Sequence, residues 1–389
     1  MKYIAKMMLA LVASVTLIVP AYAWDFSASG SVSATFNQTT EKPSKDGKAT
    51  SSMDVGSEGG AITLKSSHTD GDKSATFTYA INYADSGLDQ VATVSGSSKV
   101  GKWTTTGSVD YNLGYQDDGS AQAGEDAPSV TVTDGTLTVS LGDGSFVSSQ
   151  STVADGVAAG SVGAYNDGAA IGAYVGAPQR VSVGYKVSDT MSASFAYQTD
   201  SDDSIFGEIA DMDGTTNYQT TGIGLSVNAD VGAKVGFTYA TGGTKSKTKD
   251  QDNATSANTM GLGVSMAMGD MTPFFSYGSM AKSGTKSKLN ASETAMGLGL
   301  TMKMGSDSVV VSYTTSTQKA DSDGTATQNA TATGIELGYN TTVGAATLGV
   351  GYGSTSVAGD DGHTWGDDGT DRAIGFNRTD IEVKMAFSF

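Results

Sequence analysis

Residues 377–389 constrain this chain more than any other stretch. Ile381, Val383, Met385, Phe387 and Phe389 are apolar, and Asp380, Glu382, Lys384, Ala386 and Ser388 between them are polar or small. This is strict period two, which sets one face of a strand against something apolar and the other against something wet. The sequence stops on Phe389 with no polar tail after it. A soluble sheet rarely leaves an exposed Phe as its last residue. A strand that closes a barrel in a membrane sets that ring in the aromatic girdle at the interface.

The N-terminus supplies a route to a membrane. Lys2 and Lys6 make a basic segment, Met7–Val19 an apolar one, and Ala21-Tyr22-Ala23 an A-x-A cleavage signal. Residues 1–23 therefore read as a signal peptide removed before Trp24, too short for a spanning helix. Residues 24–389 read as one domain, because no linker or shift of composition divides them. No later apolar run reaches the roughly 18 residues of a spanning helix. Gly (51 residues), Ser, Thr and Ala dominate, and aliphatic side chains are too sparse for a conventional core of this size. A barrel with a hydrated interior needs no such core, since its apolar residues point outward to lipid.

Several function classes drop out. The chain has no cysteine, which excludes zinc fingers, iron–sulfur clusters and thiol catalysis, and it makes no use of an oxidising compartment. The formal charge is −18, and it becomes more negative once Lys2 and Lys6 are removed. Nucleic-acid binding needs clustered Lys and Arg, so that partner is not expected. His68 and His363 are the only imidazoles, and no G-x-S-x-G elbow lies beside a sensible base, so no enzyme and no catalytic residue is expected. Gly222-Ile223-Gly224 falls in a strand pattern rather than before a helix, which removes a dinucleotide fingerprint. No cofactor is expected.

The alternation of 377–389 recurs along the chain. Phe26, Ala28, Gly30, Val32, Ala34 and Phe36 alternate with polar residues, as do Phe77, Tyr79, Ile81 and Tyr83. Later runs centre on 181–187, 191–197, 223–227, 235–239, 260–268, 273–277, 296–304, 309–313, 335–339 and 348–352. Asp70-Gly71-Asp72, Asp134-Gly135, Ser188-Asp189-Thr190, Gly269-Asp270 and Gly305-Ser306-Asp307 are short turns. Residues 200–216, 242–257, 282–292, 319–330 and 355–376 are longer, polar and charged. Short turns on one rim and long loops on the other predict an all-β protein, a transmembrane antiparallel β-barrel. The predicted count is eighteen strands, or sixteen if the weak run at 91–98 and a neighbour do not span.

One connection breaks the rhythm. After Leu141-Gly142-Asp143-Gly144 no clear spanning run occurs before Pro178, and a loop of that length in a compact domain is usually functional. Residues 143–178 make up this connection, which carries Asp143, Asp155 and Asp167.

Leu137-Thr138-Val139-Ser140-Leu141-Gly142-Asp143 resembles the strand that leads into the constriction loop of the Gram-negative outer-membrane porins, the general diffusion channels. The alternation of the whole mature chain is similar to theirs, and Phe389 to their closing aromatic. The resemblance implies that residues 143–178 are the constriction loop, folded into the lumen with its carboxylates facing basic residues on the opposite wall. It also implies a homotrimer in the outer membrane, among lipid and lipopolysaccharide, inserted by the barrel-assembly machinery that reads Phe387 and Phe389. The chain departs from that pattern in being poor in arginine and in placing the loop later in the strand order.

Charge placement follows from the alternation. Lys65, Lys102, Arg180, Lys186, Lys234, Lys303, Arg378 and Lys384 fall on inward positions, with Asp110, Glu336, Asp380 and Glu382 as the acids of the same faces. A cation on the lipid face would cost about 2–4 kcal/mol at mid-bilayer, so these residues should point to water. The candidate constriction set is Asp143, Asp155 and Asp167 against Lys65, Arg180 and Lys384. Two acidic loop clusters stand elsewhere, Asp200/Asp202/Asp203/Asp211/Asp213 and Asp360/Asp361/Asp367/Asp368/Asp371. Their carboxylates are where a weak Ca²⁺ interaction would sit. Asp211-x-Asp213-Gly214 is only a fragment of a calcium loop, and no metal site is assigned. The expected function is passive diffusion of ions and small hydrophilic solutes, with a mild preference for cations. The competing readings are a substrate-selective outer-membrane channel and a secreted or surface β-rich adhesin.

Overall fold

The computed structural model describes residues 24–84, 87–113, 124–142, 181–199, 218–246, 254–284, 290–321, 328–359, 364–367 and 370–389. Eighteen strands form one closed sheet. In chain order these are β1 (Asp25–Lys42), β2 (Thr50–Asp70), β3 (Lys73–Ala84), β4 (Gly87–Val100), β5 (Trp103–Asn112) and β6 (Gly124–Thr133). Then come β7 (Leu137–Gly142), β8 (Val181–Ser188), β9 (Met191–Thr199), β10 (Tyr218–Asp230), β11 (Lys234–Ser246) and β12 (Ala254–Ser265). The series ends with β13 (Met271–Gly284), β14 (Asn290–Met304), β15 (Asp307–Asp321), β16 (Gln328–Val343), β17 (Ala346–Gly359) and β20 (Asn377–Ser388). A separate hairpin, β18 (Thr364–Asp367) and β19 (Thr370–Ala373), interrupts the last connection. Each barrel strand pairs antiparallel with its chain neighbours, and β20 returns to β1, so the sheet has no open edge.

The outward apolar band begins at the short-turn rim. On β14 it runs from Met304 through Met302, Leu300 and Leu298 to Met296, and on β20 from Phe389 to Ile381. Nine residues tilted by about 40° rise about 23 Å, close to the ~25 Å apolar band of outer-membrane barrels. Five successive upward strands close their apolar runs on tyrosine: Tyr197, Tyr239, Tyr277, Tyr313 and Tyr352. These rings form a girdle at the upper edge of the band, where an amphipathic ring is stable. Above it the outward positions turn to Ser and Thr, as at Thr315, Thr317, Thr331, Thr333, Ser354 and Ser356.

The strands do not stop at the girdle, and here the sequence reading is corrected. Much of 242–257, 282–292 and 319–330, expected as loop, is paired strand, because β11, β13 and β15 run on to Ser246, Gly284 and Asp321. Backbone pairing needs no apolar side chain, so hydropathy carries no trace of it. β18 and β19 likewise lie inside a segment expected as loop. The weak run at 91–98 is a full strand, β4, and the count is eighteen.

Tight turns join the strands at the opposite rim. Gly71, Gly101, Gly135, Gly232, Gly269, Gly305 and Gly344 hold positive φ there with open space where a Cβ would stand. Turns that keep the strand twist demand such conformations.

The seam where β1 meets β20 is closed by the last residue. The Gly30 N–H donates to the Phe389 carbonyl at 2.8 Å, and the Phe389 N–H donates to the Gly30 carbonyl at 2.9 Å. A Cβ at Gly30 would lie 2.4 Å from Phe389 Cζ, so the ring lies flat over the glycine. Phe387 stacks on Phe389 with ring centres 6.0 Å apart.

Candidate functional site

The inner wall is built by the faces opposite the apolar band. From β10 to β17 those faces carry mostly Gly, Ala, Ser and Thr: Ser226, Thr238, Ala240, Thr259, Ser276, Ala295, Thr314, Ser316, Ala332 and Thr355 are all buried, with Val310 and Val357 as buried apolar members. The large outward side chains are the exposed ones, Leu298, Val311, Ile335 and Leu337 among them. A soluble protein has the opposite distribution. Phe274 is an exception on the inner wall. It lies over Gly299, where a Cβ would stand 2.2 Å from Phe274 Cζ.

Four inward hydroxyls, those of Thr35, Thr259, Ser276 and Thr355, are buried and have no hydrogen-bond partner. A buried hydroxyl left that way costs about 1–3 kcal/mol unless water or a ligand meets it. Their positions on β1, β12, β13 and β17 mark the inner wall as a polar surface.

Charges on this wall are arranged in rows. Glu336 on β16 stands opposite Gly353 on β17, which stands opposite Asp380 on β20, which stands opposite Thr39 on β1. One row toward the short-turn rim, Gly338, Gly351, Glu382 and Asn37 repeat the order. Arg378 donates through Nε to both Asp380 carboxylate oxygens at 2.9 Å, and the Thr39 hydroxyl donates to the same carboxylate at 2.6 Å. Glu336 accepts from the Ser312 hydroxyl at 3.1 Å. Glu293, on β14, accepts from the Ser316 hydroxyl and from the Gln318 amide, the latter at 2.8 Å.

Lys65 and Lys384 both point inward, as the alternation predicts, but the structure does not bring them together. Lys65 stands opposite Ser27 and Lys384 opposite Thr35, levels on β1 about 27 Å apart. Asp143, Asp155, Asp167 and Arg180 lie outside the described residues, as do residues 1–23, the 143–178 loop, His363 and most of the acidic loop residues. Lys102 is not on the wall. It lies in the turn before β5 and reaches Asp134 in a neighbouring turn at 2.9 Å. Asp134 also accepts from the Leu137 and Thr136 N–H groups. Together these bonds, Leu137 first and then Lys102, hold its carboxyl at about 2. Lys186 pairs with Asp189 at 2.7 Å across another turn and keeps that carboxyl low. Glu293 escaped the sequence reading because β14 was expected to begin after it; extending the odd-numbered inward set back from Ala295 would have found it. Among the described residues no group of acidic or histidine side chains could hold a metal ion.

No family model matches the sequence, and no curated protein matches it either. Solved structures do match the fold. The outer-membrane expressed OmpT of Vibrio cholerae superposes with a TM-score of 0.55 at 12% identity, covering 96% of this chain and 100% of that one. An anion-selective porin from Comamonas acidovorans gives 0.54 at 14% identity, covering 94% and 100%. The chain has the porin fold. The outer-membrane channel DcaP of Acinetobacter baumannii shares it, with a TM-score of 0.54 at 14% identity over 95% of this chain and 99% of that one. In this porin fold the wall from β14 to β20 carries four recessed carboxylates, and the lysines expected opposite a constriction are spread along the barrel axis.

Proposed function

We propose that this protein is a Gram-negative outer-membrane porin: a water-filled channel for passive diffusion of ions and small hydrophilic solutes, mildly selective for cations and without a catalytic step. The observation that carries this reading is the two-faced wall. Outside, an apolar band of membrane height ends in a tyrosine girdle; inside, small polar residues and unpartnered hydroxyls line the bore. Eighteen strands enclose more room than side chains this small can fill, and barrels of that size hold an aqueous lumen. The full-length similarity to channels and porins supports the same reading. The inward wall carries more bases than acids, but the negative formal charge, most of it in the loops, favours cations over anions.

The finer parts of the proposal follow the resemblance. The chain is exported by residues 1–23, inserted by the barrel-assembly machinery through Phe387 and Phe389, and assembled as a homotrimer among lipopolysaccharide. Residues 143–178 fold inward, so that Asp143, Asp155 and Asp167 meet Lys65, Arg180 or Lys384 across a constriction. The acidic outer loops hold Ca²⁺ weakly, and no cofactor takes part.

Swelling of proteoliposomes tests this function. Small neutral sugars should enter at rates that fall steeply with solute size, with no saturation and no stereoselectivity. Saturable uptake of one sugar would favour a substrate-selective channel, and absence of swelling with folded protein would remove transport altogether.

A further inference from the structure

Methionine is spread unevenly over the outer face of the barrel. Of the chain's 15 methionines, five meet on neighbouring strands at the short-turn rim. Met266 and Met268 follow β12, Met271 opens β13, and Met302 and Met304 lie at the end of β14. Met268 faces Met271 across the Gly269-Asp270 turn, with N–H···O bonds of 2.7 and 3.2 Å exchanged between them, and Met271 faces Met302. The Met266 N–H donates to the Pro273 carbonyl at 3.2 Å, which carries the same register one step up. Facing residues point to the same side of a sheet with Cα atoms about 4.5–5.5 Å apart. Met268, Met271 and Met302 therefore form one outward row, with Met266 and Met304 two residues along the strands from its ends. All five are 37–47% exposed, so none is packed away in the wall.

Contact with lipid does not account for this choice. Val100 and Val343 hold the corresponding outward positions beside two other turns, and both are exposed. What methionine adds is an unbranched, adaptable side chain that carries a soft thioether sulfur. A second observation concerns charge. Asp307 stands opposite Met304 on the same face, and its carboxylate accepts the Tyr339 and Thr341 hydroxyls, each at 2.7 Å. Asp270 lies in the turn between Met268 and Met271. Lys303, between Met302 and Met304, points to the opposite face. The thioethers are neutral, so these two carboxylates give the row anionic surroundings that attract a cation.

We propose that Met268, Met271 and Met302 form a thioether site for Cu(I) on the outer face of the short-turn rim. Soft sulfur donors select Cu(I), whereas hard cations such as Mg²⁺ and Ca²⁺ require oxygen ligands. Three methionines on consecutive rungs can turn their sulfurs toward one ion, because each side chain rotates about three bonds. Met266 and Met304 stand beside the row as further donors. Binding involves no redox step: the ion enters and leaves as Cu(I). The site lies on the face away from the bore, so its occupancy does not depend on conduction.

The test uses the whole mature protein, folded in nonionic detergent and chloride-free buffer. Silver nitrate supplies Ag(I) as a redox-inert probe, and Cu(I) is supplied from a competing chelator. Calorimetry should count one tightly bound Ag(I) per chain, and the methyl ¹³C resonances of Met268, Met271 and Met302 should shift with it. The folded protein should also draw Cu(I) from the chelator. M268L combined with M271L and M302L conserves volume, so the heat-modifiable band should remain while the bound ion is lost from both titrations. M260L with M296L, higher on β12 and β14, should leave binding intact. Binding retained by the triple variant would overturn the site and place the ion on His68, His363 or scattered methionines. Methyl shifts spread evenly over the wild-type methionines, a readout that needs no variant, would overturn it too. So would uptake of Ag(I) with none of Cu(I).

Discussion

The wall from β10 to β17 and the wall from β5 to β9 solve the same problem differently. Strands of the first run 12 to 16 residues, and those of the second 6 to 10 among the described residues. Both place large apolar side chains outward, such as Leu298 and Val311 on one and Val130, Leu141 and Val183 on the other. Among the described residues, the long wall is the one that continues above the girdle, held by backbone pairing and hydroxyl contacts such as Thr317 with Thr331 at 2.9 Å. The height of the apolar band is imposed by the membrane, whereas strand length beyond it is free to vary.

Outside both walls lies the seam, where the largest effect is expected. Gly30→Leu would place side-chain atoms where the Phe389 ring lies, a clash with the backbone fixed by two hydrogen bonds. Closure should fail in most molecules, read as loss of the heat-modifiable folded band in detergent gels. Leu substituted at Gly184 on the short wall, whose Cβ would meet only ordinary contacts at 3.7 Å and beyond, should leave most of that band in place.

Charge on the lipid face comes next. Leu298→Arg on the long wall and Val139→Arg on the short wall should each cost about 2–4 kcal/mol of barrel stability, measured by urea unfolding in lipid vesicles. A much smaller cost at Val139 would mean that the short wall faces protein, as in a subunit interface. The comparison therefore also bears on the proposed trimer.

Packing inside the long wall should give a smaller change. Gly299→Ala brings a Cβ against Phe274 and the Val311 carbonyl, at 2.2 and 2.6 Å. A loss of about 1–3 kcal/mol is expected, and Phe274→Ala in the same chain should recover only the part due to the ring.

The smallest effect is in the turns. Asp134 has its carboxyl lowered to about 2 in the folded protein, against about 3.9 for a free Asp. A lowered value means that its contribution is complete above pH ~4 and is lost as the pH falls through about 2. Asp134→Asn should therefore narrow the gap to wild type in melting temperature between pH 4 and pH 2, while leaving the two curves parallel near neutrality.

How much of this was legible in the sequence differs between the same two walls. On the long wall each upward alternating run starts from a glycine turn and closes on a tyrosine, so strand order, facing and closure by Phe389 all follow from period two. Its upper half was not legible, because Ser and Thr at both parities give pairing no hydropathic signature. That blind spot hid Glu293. The inward direction of Lys65 and Lys384 was readable from parity alone, but their separation depends on the stagger of β1 against β2 and β20, a cross-strand quantity that no single strand records. The alignment of Glu336, Gly353 and Asp380 in one row was invisible for the same reason: it needs the register of three strands at once.

The central claim is that the enclosed space is an open aqueous pore. Single-channel recording of the purified, folded protein in planar bilayers tests it most directly. Stepwise, long-lived conductance increments in KCl, with a reversal potential of cationic sign under a gradient, are the predicted result. A protein that is heat-modifiable and inserted, yet electrically silent across the same range of voltage and salt, would contradict it.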